Sequence, residues 1–251
     1  MNSFSYLEYA ELVQNIIASR QYMDFSEVKR DTRDFIILRH DVEFSIERAH
    51  KMAILESMLG IRSSYLFQVR NDAYNLFSTR NIQAVQSIHQ LGHYIGLHVH
   101  LGMLESKDQL QNFIIQDVEM MEKMLRIPID RFSYHRPSKA ILSLRLKIRG
   151  LINTYDDLYF EFRENDVFDD LTIKYIADSR HQWKYGYPDR TMIKSQPKIQ
   201  LLIHPDEWSI PGYDSKKNFQ MLRHEKKIEF INTLKTECDH FDQSTQFNGG
   251  R

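Results

Sequence analysis

The segment FIILRHDVEFS, residues 35–45, decides how this chain is read. Phe35 to Leu38 form the short, bounded apolar run expected of a buried strand, and the run ends in Arg39, His40, Asp41 and Glu43. A strand that is apolar until its C-terminal end and ionisable there suits a parallel α/β fold, in which the active-site loops gather at that end of the strands. The following SIERAHKMAILESMLG completes one β-α unit. Ser45 is a candidate N-cap, Ala49, Met52, Ala53 and Leu59 can share a helix face, and Gly60 can stop the helix.

Working outward, the alternation continues. SSYLFQV (63–69) precedes a helix expected over 79–91, and HYIGLHVHL (93–101) precedes one expected over 106–126, where Leu110, Phe113, Ile114, Val118, Met121 and Leu125 recur at helical spacing. RFSYHRPS (131–138), INTYDDLYF (152–160), LTIKYIADS (171–179) and KIQLLIHPDEW (198–208) bring the expected strands to seven. The aromatic stretch 180–190 reads as a loop over one face. The end, within 215–241, reads as a long amphipathic helix with Ile231, Leu234 and Cys238 on one side. No repeat, low-complexity tract or linker interrupts the pattern, so one domain is expected over 1–251, with its motif-bearing core at about 35–208.

Composition narrows the function. The 251 residues carry 33 basic and 34 acidic side chains, a net charge of −1, with no basic face that would suit nucleic acid or anionic lipid. Cys238 is the single cysteine, which excludes an internal disulfide and a cysteine-built zinc site. The start, MNSFSYLEYAELVQN, has no targeting pattern, and no run is long enough for a membrane span, so a cytoplasmic location is expected.

Five of the strands place His, Asp, Glu or Arg at their C-terminal ends. If they are parallel, then Asp41, Glu43, His98, His100, His135, Arg136, Asp178 and His204 converge on one mouth. Asp41 and Glu43, two apart on a strand, share a face, and so do His98 and His100. Alone, the acids suit a solvated strand end or a helix cap, and the histidines an exposed or hydrogen-bonded pair. Together they make a mixed nitrogen and oxygen donor set with room for water, as in a catalytic divalent-metal site. His204 before Pro205 can protonate a leaving amine near neutral pH. Arg136 can hold a carboxylate ionised, or be a plain surface arginine.

These segments, from about Phe35 to Trp208, resemble in their order the polysaccharide deacetylase family, also called the NodB-homology domain or carbohydrate esterase family 4. The resemblance implies a distorted (β/α)7 barrel and metal-dependent removal of an acetyl group from an amino sugar, with zinc the first choice of ion and nickel, cobalt or manganese the alternatives. RHDVE matches the first motif, which makes Asp41 the base and Glu43 a metal ligand where the family usually has Asp. GHYIGLHVHLG matches the second at Gly92, His93, Ile95, Gly96 and His98, making His98 a ligand. The family's second histidine, four residues on, is Gly102 here, so His100 is taken as a ligand from strand geometry. HRPS supplies Arg136 beside the base, YIADSRHQW supplies Asp178 and Trp183 to the substrate groove, and LLIHP makes His204 the general acid. Trp208 and the aromatics of QWKYGYPDR can stack on a sugar ring or cover a core edge. The expected mechanism has Asp41 take a proton from the attacking water while His204 protonates the amine. The expected substrate is a nucleotide- or lipid-linked acetamido sugar used in making surface polysaccharide. A deformylase or ureide hydrolase on the same barrel, or a non-catalytic sugar-binding protein, are the alternatives.

Overall fold

The structure, a computed structural model, describes residues 3–19, 22–101, 107–161 and 172–241. Seven strands follow in chain order: β1 (Phe35–Val42), β2 (Ser64–Phe67), β3 (Tyr94–His100), β4 (Arg131–His135), β5 (Ile152–Asn153), β6 (Ile173–Ala177) and β7 (Lys198–Ile203). They form one sheet in the order β5-β4-β3-β2-β1-β7-β6, and every pair is parallel. All seven expected strands are present, although 152–160 contributes only a two-residue strand. The expected helix start at Ser106 and strand start at Leu171 lie outside the described residues.

The sheet curls. Gln200 on β7 donates through Nε2 to the carbonyls of Thr154 and Tyr159, 2.9 and 3.0 Å away, so the chain leaving β5 folds back across the concave face. The result is a barrel left open between β5 and β6, the distorted α/β barrel expected from the sequence. Alternation along β1 stratifies the interior. Phe35 and Ile37 join Phe25, Tyr159 and Ile173 in an apolar plug, Arg39 lies above them, and Asp41 reaches the mouth. The other face of β1 is covered by helices: Ile36 and Leu38 pack with Tyr9, Leu12, Val13 and Ile16 of α1 (Tyr6–Ser19) and with Met52 of α2 (Ile46–Met58). Helix α1 adds to the expected elements, and its buried residues recur every three or four positions.

Local chemistry fixes these elements as expected. Ser45 accepts from the Arg48 amide to cap α2, and Ser78 caps α3 (Thr79–Gln90) in the same way. Gly96 is required by its neighbour, since a Cβ there would lie 2.6 Å from Cγ of Arg131. That arginine is fully buried, pairs with Asp24 and lies 4.2 Å from the Tyr94 ring centroid. Helix α4 spans Lys107–Leu125 and buries the apolar stripe read from the sequence, apart from Phe113, which is partly exposed. The short α5 (Lys139–Ser143) and α6 (Arg190–Ser195) follow β4 and precede β7.

The last helix, α7 (Ser215–Glu237), differs from expectation: it buries Asn218 and Leu222, and Cys238 is exposed at its end. Its docking is polar. Arg48 of α2 donates to Asn218 Oδ1, to the Asp206 carbonyl and to both carboxylate oxygens of Glu225, so α2 holds α7 and the loop after β7 together. Among the described residues no helix is long and apolar enough to cross a membrane.

Candidate metal centre and active site

Strand register brings the acids and imidazoles together. Asp41 pairs with Leu66 and Leu66 with Gly96, so Glu43 and His98, each two residues further along, come level at the mouth. β4 then lays Ser133 beside His98 and His135 beside His100. Glu43, His98 and His135 form one cluster of potential ligand atoms. Glu43 Oε1 lies 2.8 Å from His135 Nδ1 and 3.4 Å from His98 Nε2, and the two nitrogens are 3.3 Å apart.

The donor set fits a divalent ion. Bonds of ~2.0–2.1 Å in a tetrahedral site require donor atoms about 3.3–3.4 Å apart, close to two of these three separations. Two imidazole nitrogens and a carboxylate oxygen also make the three-ligand set that leaves a catalytic ion open to water. Ser133 fixes the orientation of one ligand: its Oγ is 2.7 Å from His98 Nδ1 and donates to Asp41 Oδ1 at 3.1 Å. In that arrangement His98 Nδ1–H donates to Ser133, leaving Nε2 with its lone pair directed at the cluster.

Glu43 and His98 lie together as the sequence leads one to expect, whereas the imidazole that completes their cluster is that of His135 and not that of His100. His100 is exposed and stands outside the cluster, its ring stacked on that of His135 with centroids 5.4 Å apart. Its place in the alternation puts it on the right face but one row too far out. His135, read only as a polar strand end, occupies the third position; its signal was the run Arg131, Ser133, His135 on one face of β4.

Asp41 lies beside the cluster, 2 % exposed. Its support also differs from expectation, because Arg39 of the same strand face donates to Asp41 Oδ2 at 3.1 Å. Arg136 is exposed and makes no ion pair among the described residues. Arg39 is fully buried and donates further to Thr154 Oγ1, Gln200 Oε1 and Tyr155 OH, at 2.6, 2.9 and 2.8 Å. Burial opposes the charge on Asp41, but Arg39 first, then His98 and His204, outweigh it and hold the carboxyl below its ordinary value. For Glu43, burial is likewise outweighed by hydrogen bonds from His135 and His98, and its pKa is lowered.

On the opposite wall, His204 directs Nε2 towards Glu43 Oε1 at 3.9 Å. Its Nδ1 is 2.7 Å from Asp178 Oδ1, and Asp178 also accepts from the His204 amide and from Trp208 Nε1, the latter at 2.7 Å. Burial opposes the imidazolium, yet Asp178 in contact, with Glu43 and Asp41 behind it, pushes His204 up to about 10. Asp178 is therefore a positioning residue for His204 and, fully buried, does not face the groove. Trp208 is fully buried too and presents no face to a ligand. Trp183 packs against Phe4, Tyr187 and Trp208 and is absent from the cleft wall. The groove expected from these three residues is lined by others: Phe44, Tyr134, Tyr155, Tyr175 and Phe219 border a cleft of about 500 Å³ that contains Asp41, Glu43, His98 and His204. Asp206 also borders it, 2 % exposed, with Oδ1 unpartnered among the described residues; burial pushes its carboxyl up to about 7.

No family model matches the sequence, and no curated protein does. Among solved structures, a family 4 carbohydrate esterase from Bacillus anthracis is 13% identical, with 88% of this chain and 86% of that one covered and a TM-score of 0.46. The catalytic domain of a peptidoglycan N-acetylglucosamine deacetylase from Eubacterium rectale is 9% identical, covering 80% and 88%, at 0.46. A pseudoenzyme of the carbohydrate esterase 4 family, also from Bacillus anthracis, is 12% identical, covering 84% and 66%, at 0.44.

Proposed function

We propose that this protein is a divalent-metal-dependent hydrolase of the polysaccharide deacetylase type, which removes the acetyl group from the nitrogen of an amino sugar. The carrying observation is the placement of Glu43, His98 and His135 between a carboxylate held ionised and a histidine held protonated, in one cleft at the C-terminal ends of parallel strands. The resemblance of five sequence motifs, in order, to those of the polysaccharide deacetylase family supports the amide of an acetamido sugar as the bond to be cut.

Glu43, His98 and His135 would hold the ion, and an ion there supplies Lewis acidity to the acetamide carbonyl and to water. Asp41 is the base: Arg39 keeps it ionised and Ser133 fixes the direction of its Oδ1. His204 is the acid: Asp178 binds Nδ1, so the proton available to the departing amine is the one on Nε2, which faces the cleft. The acid and the base thus stand on opposite walls, which lets a proton be removed on one side of the amide and delivered on the other.

The test is metal analysis of the purified protein joined to a screen for acetate release from acetamido sugars. A stoichiometric divalent ion, with acetate release abolished by chelation and by Asp41→Asn, is the expected outcome. A protein that retains no divalent ion, or releases acetate equally well as Asp41→Asn, would overturn the reading.

A further inference from the structure

The cleft continues past the cluster. Beyond Glu43 and His135 a second hollow of about 440 Å³ opens, which shares Glu43, Phe44 and Arg136 with the first. Its lining includes Arg70, Arg136, His100 and Gln68.

Three features indicate what this hollow takes. Gln68 is 3 % exposed and its Oε1 accepts from Asn71 Nδ2 at 2.6 Å, but its Nε2 has no partner. A buried amide donor left unpaired is costly, and its N–H groups leave an uncompensated positive partial charge beneath the hollow. The loop that carries it is stitched to the metal strand, since Asn71 donates to the Glu43 carbonyl and Tyr74 OH to that of Val42, at 2.9 and 2.8 Å. Arg70 is held in place from behind, with its guanidinium 4.2 Å from the Phe113 ring centroid and 3.1 Å from Asp117, and is half exposed. Arg136 is exposed, has no ion pair among the described residues, and sits at φ 49°, in the left-handed region that a non-glycine residue occupies at a cost. Against these cations the hollow sets the exposed Asp72 and Glu43, and Glu43 is committed to the cluster.

We infer that this hollow is an anion subsite: Arg70 and Arg136 receive a phosphoryl or carboxylate group carried by the sugar whose amide lies at the metal centre. Guanidinium groups suit either anion, because their fixed donors match paired oxygens. The substrate class is then an anionic acetamido sugar and not a neutral glycan. The identity of the sugar rests on the deacetylase reading, whereas the affinity for its charge does not.

Binding is measured by calorimetry on the full chain at low salt, with three ligands: N-acetylglucosamine, N-acetylglucosamine 1-phosphate and an N-acetylated amino uronic acid. Each is titrated into zinc-loaded and into chelator-treated protein, since a phosphoryl group can also ligate the ion directly. At least one charged ligand is expected to bind about tenfold or more tightly than the neutral one, in both forms of the protein. The tighter of the two charged ligands identifies the anion. Arg136→Ala, at an exposed position that leaves the core untouched, should bring the charged-to-neutral ratio down by about tenfold, and Arg70→Lys should lower it in the same direction. Equal binding of charged and neutral sugars, no binding of any, or charged-ligand binding that vanishes with zinc and is indifferent to Arg136→Ala would each overturn the subsite. Failure of acetate release alone would overturn the deacetylase reading and leave the subsite standing.

Discussion

Replacing Arg39 with Met tests the core of the proposed site, because the guanidinium is fully buried and is the permanent positive charge that donates to Asp41. The substitution removes the charge but keeps most of the volume. Asp41, 2 % exposed, is left as a buried carboxylate without its counterion, and Thr154 Oγ1, Gln200 Oε1 and Tyr155 OH lose a donor. Breaking a buried pair by removing one partner costs about 3–5 kcal/mol. In a chain of this size each kcal/mol moves the melting temperature by roughly 2–4 °C, so a drop of about 6–20 °C is expected by differential scanning calorimetry.

The double variant Arg39→Met with Asp41→Asn should regain part of that loss, since no charge is then buried alone. Acetate release by Arg39→Met should fall by about a hundredfold or more, the usual contribution of a general base. An Arg39→Met protein as stable as the parent, or one in which Arg136→Ala does the greater damage, would refute the pairing and restore Arg136 as the partner of the base.

Three further outcomes follow from the geometry. His135→Ala should reduce bound zinc, measured by elemental analysis after gel filtration, far more than His100→Ala does; the reverse order would put the second imidazole ligand on β3. Glu56, buried beneath β1 and accepting from Tyr9, His40, Ser63 and Tyr65, feels burial raising its pKa, but His40 and then His93 and Ser63 bring it to about 2. A lowered carboxyl stabilises the fold above its unfolded pKa and loses that contribution as the pH falls towards 2, by about 3 kcal/mol in all; urea denaturation between pH 5 and 2.5 (roughly the window of that shift) should show the loss in the parent protein, and a curve for Glu56→Gln with the same slope would contradict it. Asp206 has the opposite sign: its raised pKa means that the folded state binds the extra proton, so stability declines as the pH rises from 3.8 to about 7. In metal-free protein Asp206→Asn should therefore raise the melting temperature at pH values above that window and much less below it, and an equal effect at both ends would exclude the buried carboxyl as the cause.

Much of the site was legible because one period governs it. Alternation of two puts Asp41 and Glu43 on one face of their strand and His98 and His100 on one face of theirs, and apolar-to-ionisable strands mark which end gathers the polar residues. What the period could not supply was reach across strands. His100 satisfied the same alternation as His98 but stands a row further out, and which imidazole turns inward depends on the β3–β4 register, where His98 meets Ser133 and His100 meets His135. Arg39 was hidden by its position inside the strand that carries Asp41, where an arginine is expected to be a strand end and not a buried counterion. Trp208 and Asp178 stand away from the groove for a related reason: an aromatic and an acid near a groove invite a substrate role, yet the indole N–H satisfies the carboxylate and both are sealed from solvent. Helix α1 shows in the sequence as the spacing of Tyr9, Leu12, Val13 and Ile16, with no expected strand before it to mark a β-α unit.

The two supports explain one another. Asp41 and His204 border the same cleft, and each is bound on the side away from it by a fully buried group of opposite charge, Arg39 for the carboxylate and Asp178 for the imidazole. Environments that push two titratable groups in opposite directions favour the roles proposed for them, Asp41 as base and His204 as acid. Both supports are in turn tied to the scaffold. Arg39 is held by Thr154 and Tyr155, just beyond β5, and by Gln200 on β7, while Asp178 accepts from Trp208 in the loop that Arg48 clamps to α2 and α7. The open side of the barrel, between β5 and β6, is thus bridged by the same side chains that set the protonation of the cleft. A substitution that loosens the bridge, such as Gln200→Ala, acts on the base through Arg39, without touching Asp41 itself.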